Sequence, residues 1–151
     1  HQAELVGISL CYKPGESGYI PLAHKNGKNL NSSKVLKILK PYLEDKSIKK
    51  IGQNIKFDYI IFFKRGIKIN SIEDTMLMSY VLDAGKNRHN LDTLADIHLQ
   101  HKNIAFKDLV GTGKKQLNFS EVDINLAKEY AAEDSDITLR LYKIFLQNLK
   151  S

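Results

Sequence analysis

The chain has 151 residues, of which 42% are hydrophobic and 26% charged, so it can bury one ordinary core and not two. Its formal charge of +6 is compatible with a polyanionic partner, although lysines spread along the chain are equally well explained as solvating side chains. No apolar run approaches a membrane span and Cys11 is the only cysteine, so we expect one domain without membrane association in a reducing compartment, the cytoplasm or alternatively an organelle matrix.

The first predicted elements form a β-hairpin. Apolar and β-branched residues from Glu4 to Tyr12 predict a strand that ends at the turn formed by Pro14 and Gly15. Residues 18–22 predict its antiparallel partner.

Helices begin after this hairpin. Asn31, Ser32 or Ser33 can cap a helix whose apolar residues recur at helical spacing as far as Leu43. Residues 50–53 then predict a short strand that leads into a helix over residues 54–64.

The second half of the sequence is mostly helical. Apolar periodicity predicts helices over residues 72–82, 91–99 and 122–149, and residues 111–115 predict a flexible basic loop between the last two. Strands at the start followed by helices indicate an α/β domain.

Two polar pairs are the strongest chemical signal. Asn54 and Asp58 are four residues apart in a predicted helix that directly follows a strand, and Tyr130 and Asp134 have the same spacing. Carboxylates that converge from separate elements are what Mg²⁺ sites and two-metal phosphoryl chemistry require. The pattern is therefore compatible with a magnesium site.

Each of these residues also has a simpler interpretation. Asn54 is explained as a helix N-cap, Asp58 as a solvated helix residue, and Tyr130 as a half-buried packing residue with a satisfied hydroxyl. Spacing alone does not choose between these interpretations and a metal site.

The motifs resemble the 3′-5′ proofreading exonuclease domain of family A DNA polymerases of the bacterial polymerase I type. Residues 52–58 match the second exonuclease motif, Asn-x-x-x-Asp, and residues 130–136 match the third, Tyr-x-x-x-Asp. Other matching segments, in chain order, are residues 5–9, 18–24, 74–80, 88–95 and 111–119. The resemblance implies a ribonuclease H-like α/β fold, with a mixed sheet flanked by helices, over the whole of 1–151.

This resemblance also implies a mechanism. Asp134 would be a ligand of a first metal ion, Asp58 would hold a second largely through water, and Tyr130 would orient the attacking water. The ions would be two Mg²⁺, or alternatively Mn²⁺. The reaction would release 5′-mononucleotides from a single-stranded or frayed DNA 3′ end, in a protein with a polymerase domain downstream.

Substrate contacts follow from the same resemblance. Gln53 and Asn54 would contact the terminal nucleotide, while Phe57 and Phe106 would stack on the last bases. For Phe106 a core position is equally compatible. Arg88 and the basic loop at residues 111–115 would bind phosphates, although that loop can equally be solvated.

The first motif of the family, Asp-x-Glu on the first strand, has no match. It is expected a little over ten residues before the segment at residues 5–9, whereas the sequence begins at His1, and the surroundings of Glu4 do not fit. We therefore expect the first strand to be missing and the isolated chain to be impaired, because Asp58 and Asp134 supply only part of the metal ligands.

Two other functions stay open at this point. One is a non-catalytic exonuclease-like domain that binds DNA, against which both visible motifs keep their reactive residues. The other is an RNA 3′ exonuclease of the ribonuclease D type, against which the segments around Asp74, His89 and Gly111 resemble those of polymerases.

Overall fold

A computed structural model describes residues 5–83 and 88–150. The strands in this part of the chain are β1 (Gly7–Lys13), β2 (Glu16–Pro21), β3 (Lys50–Gly52) and β4 (Ile72–Asp74). The helices are α1 (Ser32–Glu44), α2 (Lys56–Phe63), α3 (Thr75–Asp83), α4 (Leu91–Leu99), α5 (Phe106–Val110) and α6 (Ile124–Lys150), with 3₁₀ turns at Gly113–Lys115 and Phe119–Glu121.

The predicted hairpin is present. Strands β1 and β2 pair antiparallel, with Ile8 opposite Ile20, and Gly15 closes the turn at a φ of 83° that favours glycine. Glu4, the predicted first residue of this strand, lies outside the described residues. Helix α1 then begins as expected, because the Asn31 side chain accepts a hydrogen bond from the backbone N–H of Lys34 at 3.0 Å.

The prediction of one helix over residues 72–82 is wrong at its start. Residues Ile72–Asp74 form β4, which pairs parallel to β3, and α3 begins only at Thr75. The apolar run could not reveal this boundary, because three strand residues are too few to establish a period of two. The α/β class is confirmed, with an antiparallel pair and a parallel pair as separate two-stranded sheets within the described residues.

Helix α6 organises the domain. It packs against β1, β2 and β3 and against α3, α4 and α5, so it contacts both sheets. Its buried side chains recur at helical spacing: Ala127, Ile137, Thr138, Leu141, Tyr142 and Phe145. Although α6 has 27 residues, none of the helices within residues 5–83 and 88–150 is long and apolar enough to cross a membrane.

In the described part of the chain, three clusters of buried apolar residues hold the elements together. Met78, Leu94 and Phe145 belong to the cluster that joins α3, α4 and α6. A second cluster lies around Ile8 and Phe62, where the hairpin packs against α1 and α2, and a third joins residues 110, 122 and 127. Polar residues at the ends of β3 and β4 and on α6 are thereby fixed on a packed framework.

Candidate active site

The second motif lies at the turn between β3 and α2. Asn54 is in the left-handed region with a φ of 55°, and Ile55, not Asn54, is the residue that precedes the helix. The interpretation of Asn54 as an N-cap is therefore wrong. The carboxylate of Asp74 accepts hydrogen bonds from the backbone N–H groups of Asn54 and Ile55 at 2.8 and 3.1 Å, which makes a capping side chain at Asn54 unnecessary.

Asp58 lies in the first turn of α2, next to Phe57. Both residues are exposed, with Phe57 keeping 65% of its surface accessible. Neighbouring protein atoms reduce the hydration of the Asp58 carboxyl group and Asp74 adds negative charge, and together these effects raise its pKa. Because the residue as a whole is exposed, solvent screens part of this effect.

Asp134 is half-buried on α6, and one oxygen of its carboxyl group lacks a hydrogen bond within the described residues. This Oδ1 atom is buried and has no hydrogen-bond partner among the residues that the structure describes. Loss of hydration, followed by repulsion from Asp92 and Glu133, raises the pKa of Asp134 to about 7, against a smaller opposing effect of the Tyr130 hydroxyl. A buried carboxylate with a spare oxygen and a high pKa is suited to receive a cation or a proton.

Tyr130 lies one turn before Asp134 and its hydroxyl group interacts with the Asp134 carboxylate. The residue is half-buried, and loss of hydration, together with the negative charge of Asp134, raises its pKa. The phenol therefore stays protonated at neutral pH and is available as a hydrogen-bond donor.

An aromatic group flanks this pair. Phe106, at the start of α5, is 43% exposed and lies 5.7 Å from Tyr130 between ring centroids. Phe119 stacks on Phe106 with an angle of 18° between ring planes at 6.1 Å. Phe106 is thus not a core residue, and its exposed ring is supported from behind by a second ring. We did not predict Phe119 as part of the site, although it lies in a segment that resembles the family.

Gln53 and Arg88 occupy different environments. The side-chain amide of Gln53 donates to the backbone carbonyl of His89 at 2.7 Å and accepts from the Thr75 hydroxyl group, so both of its polar atoms contact the protein. Arg88, next to His89, is exposed. Direct contact of Gln53, Asn54, Phe57, Arg88 or Phe106 with a substrate stays a prediction.

Two acids that neighbour Asp134 in the sequence have structural partners. Glu133 accepts a hydrogen bond from the backbone N–H of Ile104 at 2.7 Å and lies 3.3 Å from His101. Asp136 accepts from the backbone N–H of Gly15 at 2.8 Å and pairs with Arg140. These hydrogen bonds leave Asp134 as the acid of this segment with an unused buried oxygen.

The donor set fits a hard divalent cation in part. Carboxylate oxygens suit Mg²⁺, which is commonly bound by one or two carboxylates together with water and substrate phosphates. The unpartnered Oδ1 of Asp134 is the atom that such an ion would satisfy. Within residues 5–83 and 88–150, no three His, Cys, Asp or Glu side chains converge closely enough to hold a metal ion by themselves.

Sequence comparison places the chain among nucleic-acid enzymes. A family model described as 3′-5′ exonuclease matches residues 1–150. DNA polymerase I of Pseudomonas aeruginosa is 43% identical over 156 residues, which cover 99% of this chain and 17% of that protein. DNA polymerase I of Rhizobium leguminosarum is 41% identical over 168 residues, covering 98% of this chain and 16% of that protein. The chain therefore spans about a sixth of the length of these relatives.

Solved structures share the fold. NrnC of Brucella melitensis superposes with a TM-score of 0.69 at 20% identity, over 95% of this chain and 64% of that one, and the same protein has been described with bound Mg²⁺. Pol1 of M. smegmatis, described in complex with DNA primer-template and dNTP, gives a TM-score of 0.64 at 18% identity, over 90% of this chain and 19% of that one.

The structural likeness supports the ribonuclease H-like exonuclease fold, and the family match carries the assignment. The match covers residues 1–150, which include both polar pairs, and the two DNA polymerases I named above exceed 40% identity over almost all of this chain. The chain therefore belongs to the 3′-5′ exonuclease family, as an exonuclease domain of the kind found in family A DNA polymerases.

Proposed function

We propose that this chain is the proofreading domain of a longer DNA polymerase and that it removes mispaired nucleotides from a DNA 3′ end. The observation that carries the proposal is the surroundings of Asp134: a half-buried carboxylate with an unpartnered oxygen, next to the Tyr130 hydroxyl and the exposed ring of Phe106. In this proposal, metal binding by Asp134, water orientation by Tyr130 and base stacking on Phe106 take place next to the same turn of α6. A polymerase domain following this one, as in the relatives that are several times longer, is part of the proposal.

Asp134 and Asp58 are the residues that would hold divalent cations, which we propose to be two Mg²⁺ or Mn²⁺ ions. When bound, such ions supply an activated water and stabilise negative charge on the attacking and leaving oxygens of an in-line displacement. The carboxylates of the chain contribute the anionic oxygens, and a pKa of about 7 for Asp134 reflects how poorly that carboxylate is stabilised without a cation.

Tyr130 contributes a hydrogen bond rather than a nucleophile. Its raised pKa keeps the hydroxyl protonated, so it can donate to the Asp134 carboxylate or accept from a water molecule at the same place. Water is oriented in this way without the covalent participation of a protein side chain. The products are 5′-mononucleotides.

Selection of unpaired ends follows from the aromatic side chains. Phe57 and Phe106 are 65% and 43% exposed and present faces on which bases can stack, which contributes about 1–3 kcal/mol per base in proteins that bind single strands. A matched duplex must first be unpaired at a cost of several kcal/mol, whereas a mismatched end is already frayed. The preference for mismatched ends is a consequence of this difference.

The proposal is tested with the full-length protein that carries this chain and with 5′-labelled oligonucleotides in Mg²⁺. Asp58→Ala and Asp134→Ala should each lower the rate of 3′-end hydrolysis by several orders of magnitude, because metal placement supplies most of the catalysis. Asp96→Ala is the matched control, since Asp96 is an exposed acid on α4 outside the site.

The same assay separates the two alternatives. An RNA 3′ exonuclease would degrade a single-stranded RNA oligonucleotide faster than the DNA of the same sequence. A non-catalytic domain would bind the DNA without releasing mononucleotides. Near-normal turnover of DNA by both aspartate variants would overturn the assignment of the metal ligands.

A further inference from the structure

The backbone of the turn between β3 and α2 has an unfavourable conformation that needs support from neighbouring groups. Asn54 has a φ of 55°, a left-handed backbone conformation that residues other than glycine adopt infrequently. Ile55 folds back so closely that a Cβ atom on Gly52 would lie 2.8 Å from its Cδ1 atom. Such conformations persist where neighbouring groups fix them, and they concentrate at functional sites.

Asp74 is the group that fixes this backbone. It is the last residue of β4 and lies opposite Gly52 in the parallel pair. Its Oδ1 atom accepts hydrogen bonds from the backbone N–H groups of Asn54 and Met76, at 2.8 and 2.9 Å, and its Oδ2 atom accepts from that of Ile55 at 3.1 Å. Three of about four acceptor positions of the carboxylate are thereby used by the backbone. Asp74 thus acts on the turn rather than as a metal ligand.

Thr75 fixes the side chain that the turn presents. It is fully buried, with 0% of its surface exposed. Its hydroxyl group donates a proton that is shared between the backbone carbonyl of Gly52, at 3.2 Å, and the side-chain carbonyl of Gln53. A residue at this depth cannot touch a nucleic acid, so its influence on a substrate has to pass through Gln53.

Gln53 extends this connection to the segment that carries Arg88. Its amide nitrogen donates to the backbone carbonyl of His89 at 2.7 Å. The His89 ring is buried, shares a hydrogen bond of 2.7 Å with Ser79, and packs against the ring of Tyr80 at 3.8 Å between centroids. Arg88, one residue earlier, is exposed, whereas the backbone carbonyl of the adjacent His89 is held by Gln53.

We propose that Asp74 and Thr75, at the junction of β4 and α3, are positioning residues for the exonuclease reaction. Asp74 orients the start of α2 and hence Asp58, while Thr75 acts through Gln53 on the segment of Arg88. The inference rests on the proposed function. In this assignment half of the hydrogen-bonding capacity of Gln53 serves the protein, and one amide hydrogen and one carbonyl lone pair are left for a nucleotide.

Substitutions of Asp74 and of Thr75 should have different kinetic effects. Asp74→Asn keeps the shape but replaces an acceptor by a donor that faces backbone N–H groups, so the start of α2 shifts and kcat should fall about 100-fold. Thr75→Val keeps the shape but removes the hydroxyl group, so Gln53 is no longer oriented and KM for a single-stranded DNA should rise about 10-fold with a smaller change in kcat. Thr75→Ser restores the hydroxyl group and should restore KM.

The variants are compared in the full-length protein with Mg²⁺, together with Asp96→Asn, which makes the same chemical change on an exposed part of α4. Folding of each variant is followed by thermal melting. A structural role alone would lower the melting temperature without separating kcat from KM. If Asp74→Asn does not fold, the comparison of Thr75→Val with Thr75→Ser decides the proposal.

A double-mutant cycle tests the path to Arg88. If Thr75 acts through that residue, the rise in KM caused by Thr75→Val should largely disappear in an Arg88→Ala background. Independent effects that multiply, or a Thr75→Ser variant as impaired as Thr75→Val, would overturn the inference. A wild-type protein that does not hydrolyse DNA 3′ ends would refute the proposed function instead, whereas normal kinetics of the variants with an active wild type refutes only the positioning roles.

Discussion

Replacing Asp134 by asparagine should stabilise the metal-free chain. The carboxylate is half-buried, its Oδ1 atom has no hydrogen-bond partner within residues 5–83 and 88–150, and Asp92 and Glu133 repel it. The amide side chain of the Asp134→Asn variant would keep an oxygen that can interact with Tyr130 while losing the charge. A substitution that removes a proposed metal ligand is thus expected to raise stability, the opposite of what most substitutions in a half-buried site do.

The size of the effect follows from the pKa. Burial and charge repulsion raise the pKa of Asp134 from 3.8 to about 7. At about 1.36 kcal/mol for each pH unit, the upper limit of the destabilisation at pH 8 is about 4 kcal/mol. Part of the side chain is in contact with solvent, which screens the charge, so we expect a gain of about 1–2 kcal/mol.

The contribution of Asp134 to the free energy of unfolding should depend on pH in one direction. Folded protein binds the Asp134 proton more tightly than the unfolded chain, so this group lowers stability progressively as the pH rises from 3.8 to about 7. The advantage of Asp134→Asn should therefore be largest at pH 8 and shrink towards pH 4. Taking the difference between variant and wild type cancels the titration of those carboxylates that do not interact with Asp134.

The assay is urea unfolding of residues 1–151 in EDTA at several pH values. Asp136→Asn is the matched comparison on the same helix, because Asp136 is paired with Arg140 and with the backbone of Gly15, so losing its charge should destabilise. Opposite signs for the two substitutions are expected. If Asp134→Asn were no more stable than the wild type at pH 8, the poor stabilisation of this carboxylate would be refuted.

Three other expectations concern the reaction itself. EDTA should abolish mononucleotide release in a gel assay while fluorescence anisotropy still detects binding of single-stranded DNA, because Phe57 and Phe106 do not depend on metal. Phe106→Ala should raise KM several-fold and reduce the preference for mismatched over matched ends in single-turnover assays, whereas Phe106→Tyr, which keeps the ring, should not. Tyr130→Phe should lower kcat less than Asp134→Ala does, since it removes one hydrogen bond and leaves the anionic oxygens in place.

Helical periodicity and capping residues allowed much of the fold to be predicted. The cap at Asn31 and the apolar spacing that leads to α6 are local signals, because they depend on residues three or four positions apart. The two motifs were recognised from equally local spacings, because each joins residues four positions apart, and Tyr130 and Asp134 are neighbours on one helix. Such signals do not require knowledge of the tertiary structure.

Contacts between distant segments could not be predicted in this way. Strand β4 exists because Ile72–Asp74 pairs with β3, more than 20 residues earlier, and a run of three residues has no recognisable period. Asp74 holds the turn at Asn54 only in that pairing, and Phe119 supports Phe106 only after the chain has folded between them. The residues that position a site are therefore harder to find from sequence than the residues that form it.

Hydrogen bonding distinguishes the three acids on α6 by how readily each could bind a cation. Glu133, Asp134 and Asp136 all carry a carboxylic acid. In the sequence, only the Tyr-x-x-x-Asp spacing distinguishes Asp134 from the other two. In the folded chain Glu133 and Asp136 each accept a hydrogen bond from a backbone N–H group, whereas Asp134 keeps a buried oxygen without a partner. An acid already satisfied by the backbone gains little from a cation, while an unsatisfied one gains both charge compensation and a missing contact. The missing hydrogen bond and the uncompensated charge of Asp134 destabilise the metal-free chain. For the same reason Asp134 is, of these three acids, the one that gains most from binding a metal ion.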